Sequence, residues 1–137
     1  MTSVKHGESD LQALLLKLEP QLLPVDFVFC SIPHSDALDL AQLAPLAMFN
    51  EAEGLSVILP MDTARAAGLS ASCAMRCITL SVHSSLEAVG LTAAIAATLA
   101  EADISANVVA AFHHDHVFVP ADKAGQALSL LQSLSGA

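Results

Sequence analysis

The sequence predicts an α+β fold built from two ferredoxin-like βαββα units, with antiparallel sheet and helices on one face. The stretches VILPMDTA (57–64) and VFVPADKA (117–124) both fit the pattern Val-x-[Leu/Val]-Pro-x-Asp-x-Ala. The stretches SIPHS (31–35) and SVHSS (81–85) also resemble one another, and the predicted elements follow one order in both halves. Together these observations predict a diverged tandem repeat.

The first half, residues 1–70, is predicted to carry an additional N-terminal helix before its βαββα order begins. Leucines at 11, 14, 15 and 18 share one face of a helix over 10–18, which Ser9 would cap. The β-branched and aromatic run over 25–32 predicts a strand. The remaining elements predicted in this half are a helix over 35–43 capped by Ser35, strands over 46–50 and 55–59 joined at a positive-φ Gly54, and a helix that Pro60 opens.

The second half, residues 71–137, repeats this order with a longer first helix. Alternating residues over 75–82 predict a half-buried strand, and apolar residues at helical spacing predict a helix over 86–102. The flank of that helix carries the small residues Gly90, Ala93, Ala94 and Ala97. Two strands on either side of His113–Asp115 and a helix opened by Pro120 complete the half.

Composition excludes several classes of partner. The net charge is -9, and the 5 basic residues are scattered, so neither nucleic acid nor an anionic membrane is an expected partner. There is no apolar leader, and no apolar run reaches the ~20 residues of a membrane span, which predicts a cytoplasmic protein. Three cysteines without metal-binding or redox spacing fit a reducing compartment, where we expect all of them to be buried apolar residues.

The stretch SSLEAVGLTAAIAATLAEADISANVVAAFHHDHVFVPADKAGQAL (84–128) resembles an ACT domain. A glycine lies at the start of a long helix, the helix exit reads L-A-E-x-x-I, and a strand pair ends in D-H-x-x-V-P. The chain is most similar to free-standing bacterial proteins made of two ACT-like halves. The resemblance implies a module that binds a small ligand, usually an amino acid, and regulates an enzyme.

The resemblance also implies a ligand site in the loop between the first strand and the long helix of the second half. Backbone N–H groups of residues 85–89 would bind a carboxylate at the helix start, with a hydroxyl from Ser84 or Ser85 and a charged contact from protonated His83. Gly90 stands in place of the family's loop glycine, and Gly90→Leu is expected to block the ligand at little cost to the helix. The loop around His34 and Ser35 would close the site. The predicted site residues are His83, Ser84, Ser85, Leu86, Glu87, Ala88, Val89, Gly90, His34 and Ser35.

Alternatives to this site remain open in the sequence. His34 and His83 would also be explained if each merely caps or flanks a helix start beside its serine. The cluster His113-His114-Asp115-His116 is the most metal-like feature, but a polar turn between two apolar strands is the favoured explanation, and no metal or cofactor is predicted. No nucleophile elbow or glycine-rich phosphate loop is present, so an enzyme is not predicted.

Two classes of function follow from these features. The first is an amino-acid or other carboxylate sensor of the ACT type. The second is a ligand-free oligomerisation or docking protein, with a histidine-cluster metal module a distant third. A hydrophobic content of 54% and a mean hydropathy of +0.60 indicate apolar surface beyond the core, for which a homodimer is the simplest explanation.

Overall fold

The structure is a computed structural model that describes residues 10–82 and 89–135. It divides into two compact units. The continuous unit runs from Pro24 to Arg76, and the discontinuous unit combines the residues before Pro24 with those from Cys77 onward. Each unit contains a βαββα order, which confirms the predicted α+β fold.

The continuous unit contains three antiparallel strands in the spatial order β2-β3-β1. Strand β1 pairs with β3 from Phe27 opposite Pro60 to Ile32 opposite Leu55. Buried apolar residues from β1, β3 and the helix after β3 form its hydrophobic cluster, namely Val28, Cys30, Ile32, Val57, Leu59 and Ala64. The elements are β1 (Pro20–Ile32, which starts before the unit boundary), α2 (Leu40–Leu43), β2 (Ala47–Asn50), β3 (Leu55–Pro60) and α3 (Met61–Ala66).

The discontinuous unit contains strands in the order β4-β6-β5, with β5 and β6 forming an antiparallel hairpin. Buried residues from β4, β6 and three helices form a single hydrophobic cluster, so the helices cover the sheet. The elements are α1 (Leu11–Leu16), β4 (Met75–Leu80, which starts before the unit boundary), α4 (Leu91–Glu101), β5 (Asn107–Ala110), β6 (Asp115–Pro120) and α5 (Ala124–Ser133).

The repeated eight-residue pattern forms the same structure in both units. Pro60 has φ -55° and ψ 140°, and Pro120 has φ -54° and ψ 137°. Each proline ends a strand and begins a helical turn whose first turn carries an aspartate. The apolar positions of the pattern are buried in both copies, namely Val57, Leu59, Ala64, Val117, Val119 and Ala124. The pattern is therefore a strand-to-helix connection that packs three side chains into the core.

Helix α1 packs in the discontinuous unit, whereas the sequence-based division grouped residues 1–70. Leu14 and Leu18 have no exposed surface and belong to the same cluster as the buried residues of α4. Asp10 caps α1, because its carboxylate accepts a hydrogen bond from the Gln12 N–H at 3.2 Å, so the prediction that Ser9 is the cap was wrong. The boundary between the two repeats at residue 70 stays a prediction.

Three other local predictions differ from the structure. Strand β1 begins at Pro20 rather than at Val25. Helix α2 is capped by Asp39 rather than by Ser35, since the Asp39 carboxylate accepts from Ala41 N–H and Gln42 N–H. Gly54 does not adopt a positive φ; instead, an added Cβ would lie 2.8 Å from the Ile32 carbonyl oxygen, so close approach of the backbone explains the glycine.

Candidate ligand-binding site

The predicted ligand loop is described at its two ends. Val82 is buried at the end that follows β4, and Val89, at the end that precedes α4, is 84% exposed. Six predicted site residues lie outside the described residues, namely His83, Ser84, Ser85, Leu86, Glu87 and Ala88. Their contribution to a site stays a prediction.

Helix α4 begins at Leu91 rather than at the predicted Leu86. The first intrahelical hydrogen bond runs from the Ala94 N–H to the Gly90 carbonyl, at 2.9 Å. Consequently the N–H groups at the helix start are those of Leu91, Thr92 and Ala93, and not those of residues 85–89. The predicted apolar stripe is confirmed for Leu91 and for the two residues one and two turns later, Ile95 and Leu99, which are all buried.

Gly90 is held by two independent constraints. Its φ of 100° lies in the left-handed region, which side chains rarely adopt. An added Cβ would also lie 3.2 Å from Cδ2 of Leu11 on helix α1. The expectation that Gly90→Leu leaves the helix almost undisturbed was therefore wrong, since a larger residue would strain the backbone and displace Leu11. No residue pattern indicates this contact, because Leu11 is remote from Gly90 along the chain.

The hairpin between β5 and β6 approaches the beginning of the ligand loop. Nδ1 of His114 lies 3.4 Å from the carbonyl oxygen of Val82, a long contact in which the ring nitrogen donates. His116 lies farther along β6, where its Nδ1 is 3.0 Å from the hydroxyl of Thr79 on β4. His114 and His116, two of the possible metal ligands in the sequence, therefore make polar contacts with β4 and with the residue Val82 that follows it.

Burial changes the titration of this hairpin. It lowers the pKa of His116 below the ordinary 6.5, and the charge of His114 acts in the same direction while Asp115 opposes both. Burial likewise raises the pKa of Asp115, which is only 7% exposed, against the opposing effect of the two neighbouring histidines. The ring of His113 packs edge-on against the ring of Phe112, with the ring centroids 5.0 Å apart. Over residues 10–82 and 89–135, no three His, Cys, Asp or Glu side chains are grouped so as to hold a metal ion.

The corresponding loop of the continuous unit borders a small cavity. Nε2 of His34 donates to the Glu51 carbonyl at 2.7 Å, so the imidazole ties the loop to the β2–β3 turn rather than to a helix start. Because a carbonyl only accepts, Nε2 carries a proton, and Nδ1 is an acceptor in the neutral ring. Ser35 is exposed. The cavity measures about 120 Å³ and is lined by Ile32, Pro33, His34, Asp36, Leu38, Leu40 and Leu55.

The cysteines match the prediction only in part. Cys30 and Cys77 are buried free thiols, and burial raises the pKa of both. Cys73 is exposed, so the expectation that all three are buried was wrong. A raised pKa keeps the two buried thiols protonated, and therefore weakly nucleophilic, at neutral pH.

Two family models, each described as an ACT domain, match residues 6–76 and residues 72–133. The chain belongs to the ACT-domain family. The second ACT match contains α4 and the predicted ligand loop, and the first contains His34 and the small cavity. The two matches confirm the tandem ACT arrangement expected from the repeated sequence pattern.

Solved structures extend this likeness over nearly all of the ACT chain. A protein of unknown function from Vibrio cholerae, described as a possible transport protein, is 48% identical, with a TM-score of 0.81 over 91% of this chain and 95% of its own. A protein from Agrobacterium tumefaciens is 16% identical, with a TM-score of 0.70 over 85% of this chain and 87% of its own. The regulatory subunit of aspartate kinase from Thermus flavus is 12% identical, with a TM-score of 0.61 over 95% of this chain and 99% of its own. At these low identities the last two show the shared fold alone.

No curated protein matches the chain. ACT domains are regulatory rather than catalytic, and the family therefore supports a regulatory, ligand-binding module in general terms. Within the part of the chain that the structure describes, every helix is too short or too polar to cross a bilayer.

Proposed function

We propose that this tandem ACT chain senses a small carboxylate, most simply an amino acid, through the loop between β4 and α4. The observation that carries the proposal is the start of α4. Gly90 occupies the N-cap position, and no side chain of residues 10–82 or 89–135 caps α4. None of these described side chains covers the N–H groups of Leu91, Thr92 and Ala93, and a helix N-terminus of this kind favours a bound anion.

Around this helix start, the remaining loop residues would give the ligand its orientation. His83 contributes a charge-assisted hydrogen bond when protonated, and Ser84 or Ser85 contributes a hydroxyl. His34 and Ser35 form the equivalent loop of the first repeat, where the cavity of about 120 Å³ suits a small group. The absence of a side chain on Gly90 lets a carboxylate approach the backbone closely.

The wider role follows from the family. The chain acts without catalysis or cofactor, passes the ligand signal to an associated enzyme, forms a homodimer and works in the cytoplasm. Its charge of -9 makes nucleic acid and anionic membranes unsuitable partners.

Ligand binding is tested first by thermal shift against single amino acids and then against divalent metals. A ligand that binds only the folded chain stabilises it by ~2.7 kcal/mol at a hundredfold excess over Kd. We expect one amino acid, and no metal, to raise the melting temperature. A rise with metals alone would instead support the histidine-cluster module.

The site is tested by removing one backbone donor. Thr92 is exposed in the first turn of α4, where proline is tolerated, so Thr92→Pro deletes an N–H group, whereas Thr92→Ala keeps it. We expect Thr92→Pro to weaken amino-acid binding at least ~10-fold and Thr92→Ala to leave it unchanged, as measured by calorimetry. His83→Ala should weaken binding more at low pH than at high pH. Affinity that ignores all of these changes would place the ligand elsewhere.

A second candidate function, ligand-free docking or oligomerisation, is favoured by the surface around β2. Leu46, Met48 and Phe49 are all exposed large apolar residues on or beside this strand. An exposed strand with apolar side chains is a template for pairing with another chain. If no amino acid shifts the melting temperature while the chain self-associates through β2, this second function replaces the first.

A further inference from the structure

A groove on the continuous unit lies where the start of α3 meets the beginning of that unit. Its volume is about 490 Å³, within the range of small-molecule sites. It is lined by Pro24, Val25, Asp26, Pro60, Met61, Asp62 and Arg65. None of these residues belongs to the loop around His34 or lines the small cavity described above.

Charges of both signs line this groove. Asp62 and Arg65 are spaced three residues apart on α3, so their side chains share one face of the helix. Both are exposed, and within the described part of the chain neither side chain makes an ion pair or a hydrogen bond. The guanidinium and the carboxylate are therefore both available to a ligand, although they lie one turn apart.

Asp26 adds a second carboxylate from β1. Its Oδ1 lies 3.9 Å from Nε of Arg76, which is beyond hydrogen-bonding distance. A long, partly exposed ion pair of this kind is weak, so the Asp26 oxygens remain able to accept hydrogen bonds from a ligand. The other side of the groove is apolar, since Pro24, Val25 and Met61 line it.

We infer that this groove binds a zwitterion with an aliphatic side chain, that is, a small molecule with both a carboxylate and an ammonium group. The planar guanidinium of Arg65 matches a carboxylate with two parallel hydrogen bonds. The ammonium group pairs with Asp26 or Asp62, and the aliphatic part packs on Val25 and Met61. This groove differs from the loop of the proposed function, and the inference does not rest on that loop.

The mixture of charges explains why both ends of the ligand are needed. A simple carboxylate would meet Arg65 but also two aspartates, and a simple amine would leave Arg65 unmatched. Only a molecule with both groups pairs Arg65 and an aspartate at the same time, and unmatched or like-charge contacts disfavour the others.

Methyl NMR of the methionines tests the inference with L-leucine as the probe. Met61 lines the groove, whereas Met48 lies on β2 and serves as the internal reference. We expect up to about 20 mM leucine to shift the Met61 methyl resonance saturably and to leave Met48 unchanged. Leucinamide, which lacks the carboxylate, and 4-methylpentanoate, which lacks the ammonium group, should each bind at least ~10-fold more weakly.

Two variants separate this groove from the loop site. Arg65→Gln should weaken the leucine-dependent shift of Met61 at least ~10-fold, and Thr92→Pro should leave it intact. Should Arg65→Gln disturb the reference resonance of Met48, Asp62→Asn takes its place with the same expectation. The inference is overturned if leucine does not shift Met61, if either half-molecule binds as well as leucine, or if the shift survives the groove variant.

Discussion

Gly90 lies at the end of the candidate loop, and its backbone is close to Leu11, which packs against the core of the discontinuous unit. Gly90→Ala places a Cβ 3.2 Å from Leu11 and strains a φ of 100°, so we expect it to lower the free energy of unfolding by about 1–3 kcal/mol. Gly125→Ala is the matched control, because nothing lies within 4 Å of its added Cβ and its site is helical. That control should be neutral or stabilise by up to ~1 kcal/mol. Urea denaturation of both variants measures the difference, and equal effects would contradict the two constraints on Gly90.

His116 predicts a pH dependence of stability. Because burial lowers its pKa below the ordinary 6.5, the folded chain binds fewer protons than the unfolded chain once the pH falls below that value. Its contribution to stability is thus present above pH 6.5 and is lost as the pH falls through the lowered pKa. In His116→Thr a hydroxyl that does not titrate in this range replaces the imidazole beside the Thr79 hydroxyl, so the melting temperature of the variant should fall less between about pH 8 and about pH 5.

The matched control for this pH prediction is His113→Thr. This variant replaces a histidine of the same hairpin that lies outside β6 and contacts the Phe112 ring edge-on, so it measures what the loss of a hairpin histidine other than His116 does to the profile. Asp115 contributes with the opposite sign, because its raised pKa gives stability that is present at low pH and lost as the pH rises. Asp115 is present in the natural chain and in both variants, so the comparison is made among chains that share this contribution. A His116→Thr profile parallel to that of the natural chain would show that His116 is not the sensitive group.

At the scale of elements, α1 offers the clearest stability prediction. Leu14 has no exposed surface and packs in the cluster that includes α4, whereas Leu16 is 69% exposed. Leu14→Ala should lower the free energy of unfolding by about 2–5 kcal/mol, because it leaves a cavity. Leu16→Ala should change it by no more than ~0.5 kcal/mol. Similar denaturation midpoints for the two variants would show that α1 is not part of the core.

Elements with strong periodicity were predictable from the sequence. The strands β3, β4 and β6 and the stripe of α4 follow from the spacing of apolar residues, and both prolines mark helix starts. The helix boundaries that local hydrogen bonds determine were not predictable from the sequence. Helix α2 begins after Asp39 because that carboxylate satisfies two N–H groups, although Ser35 offered the same chemistry.

The segment that carries the candidate site could be identified from the sequence, but its backbone geometry could not, and the site itself stays a prediction. The family resemblance directed attention to the segment before α4, and Gly90 lies at its end as expected. The true helix start and the Leu11 contact depend on backbone angles and long-range packing, which spacing does not encode. The groove around Arg65 was missed for the same reason, since Asp26 and Arg65 meet only after β1 and α3 are folded.

For the whole molecule, the exposed residues of β2 predict how the proposed homodimer forms. Strand β2 is last in the strand order of its unit, and Phe49 is 73% exposed. Phe49→Lys should weaken dimerisation at least ~10-fold, because a charged edge strand resists pairing. Phe112→Lys, at an exposed position on the discontinuous unit, should leave it unchanged. Sedimentation equilibrium measures both, and a natural chain that sediments as a 14.1 kDa monomer would contradict the dimer.

The division of the chain has a consequence for its synthesis. Residues from Pro24 to Arg76 leave the ribosome as a continuous segment and are able to pack before α4 has been translated. Helix α1 emerges earlier than they do, yet its six residues are too few to hold a helix alone, and its packing partners are made later. We expect Leu14 and Leu18 to remain unpacked until the residues of α4 and α5 that they contact in the core have been translated. Helix α1 is therefore translated before the continuous unit but becomes ordered after it.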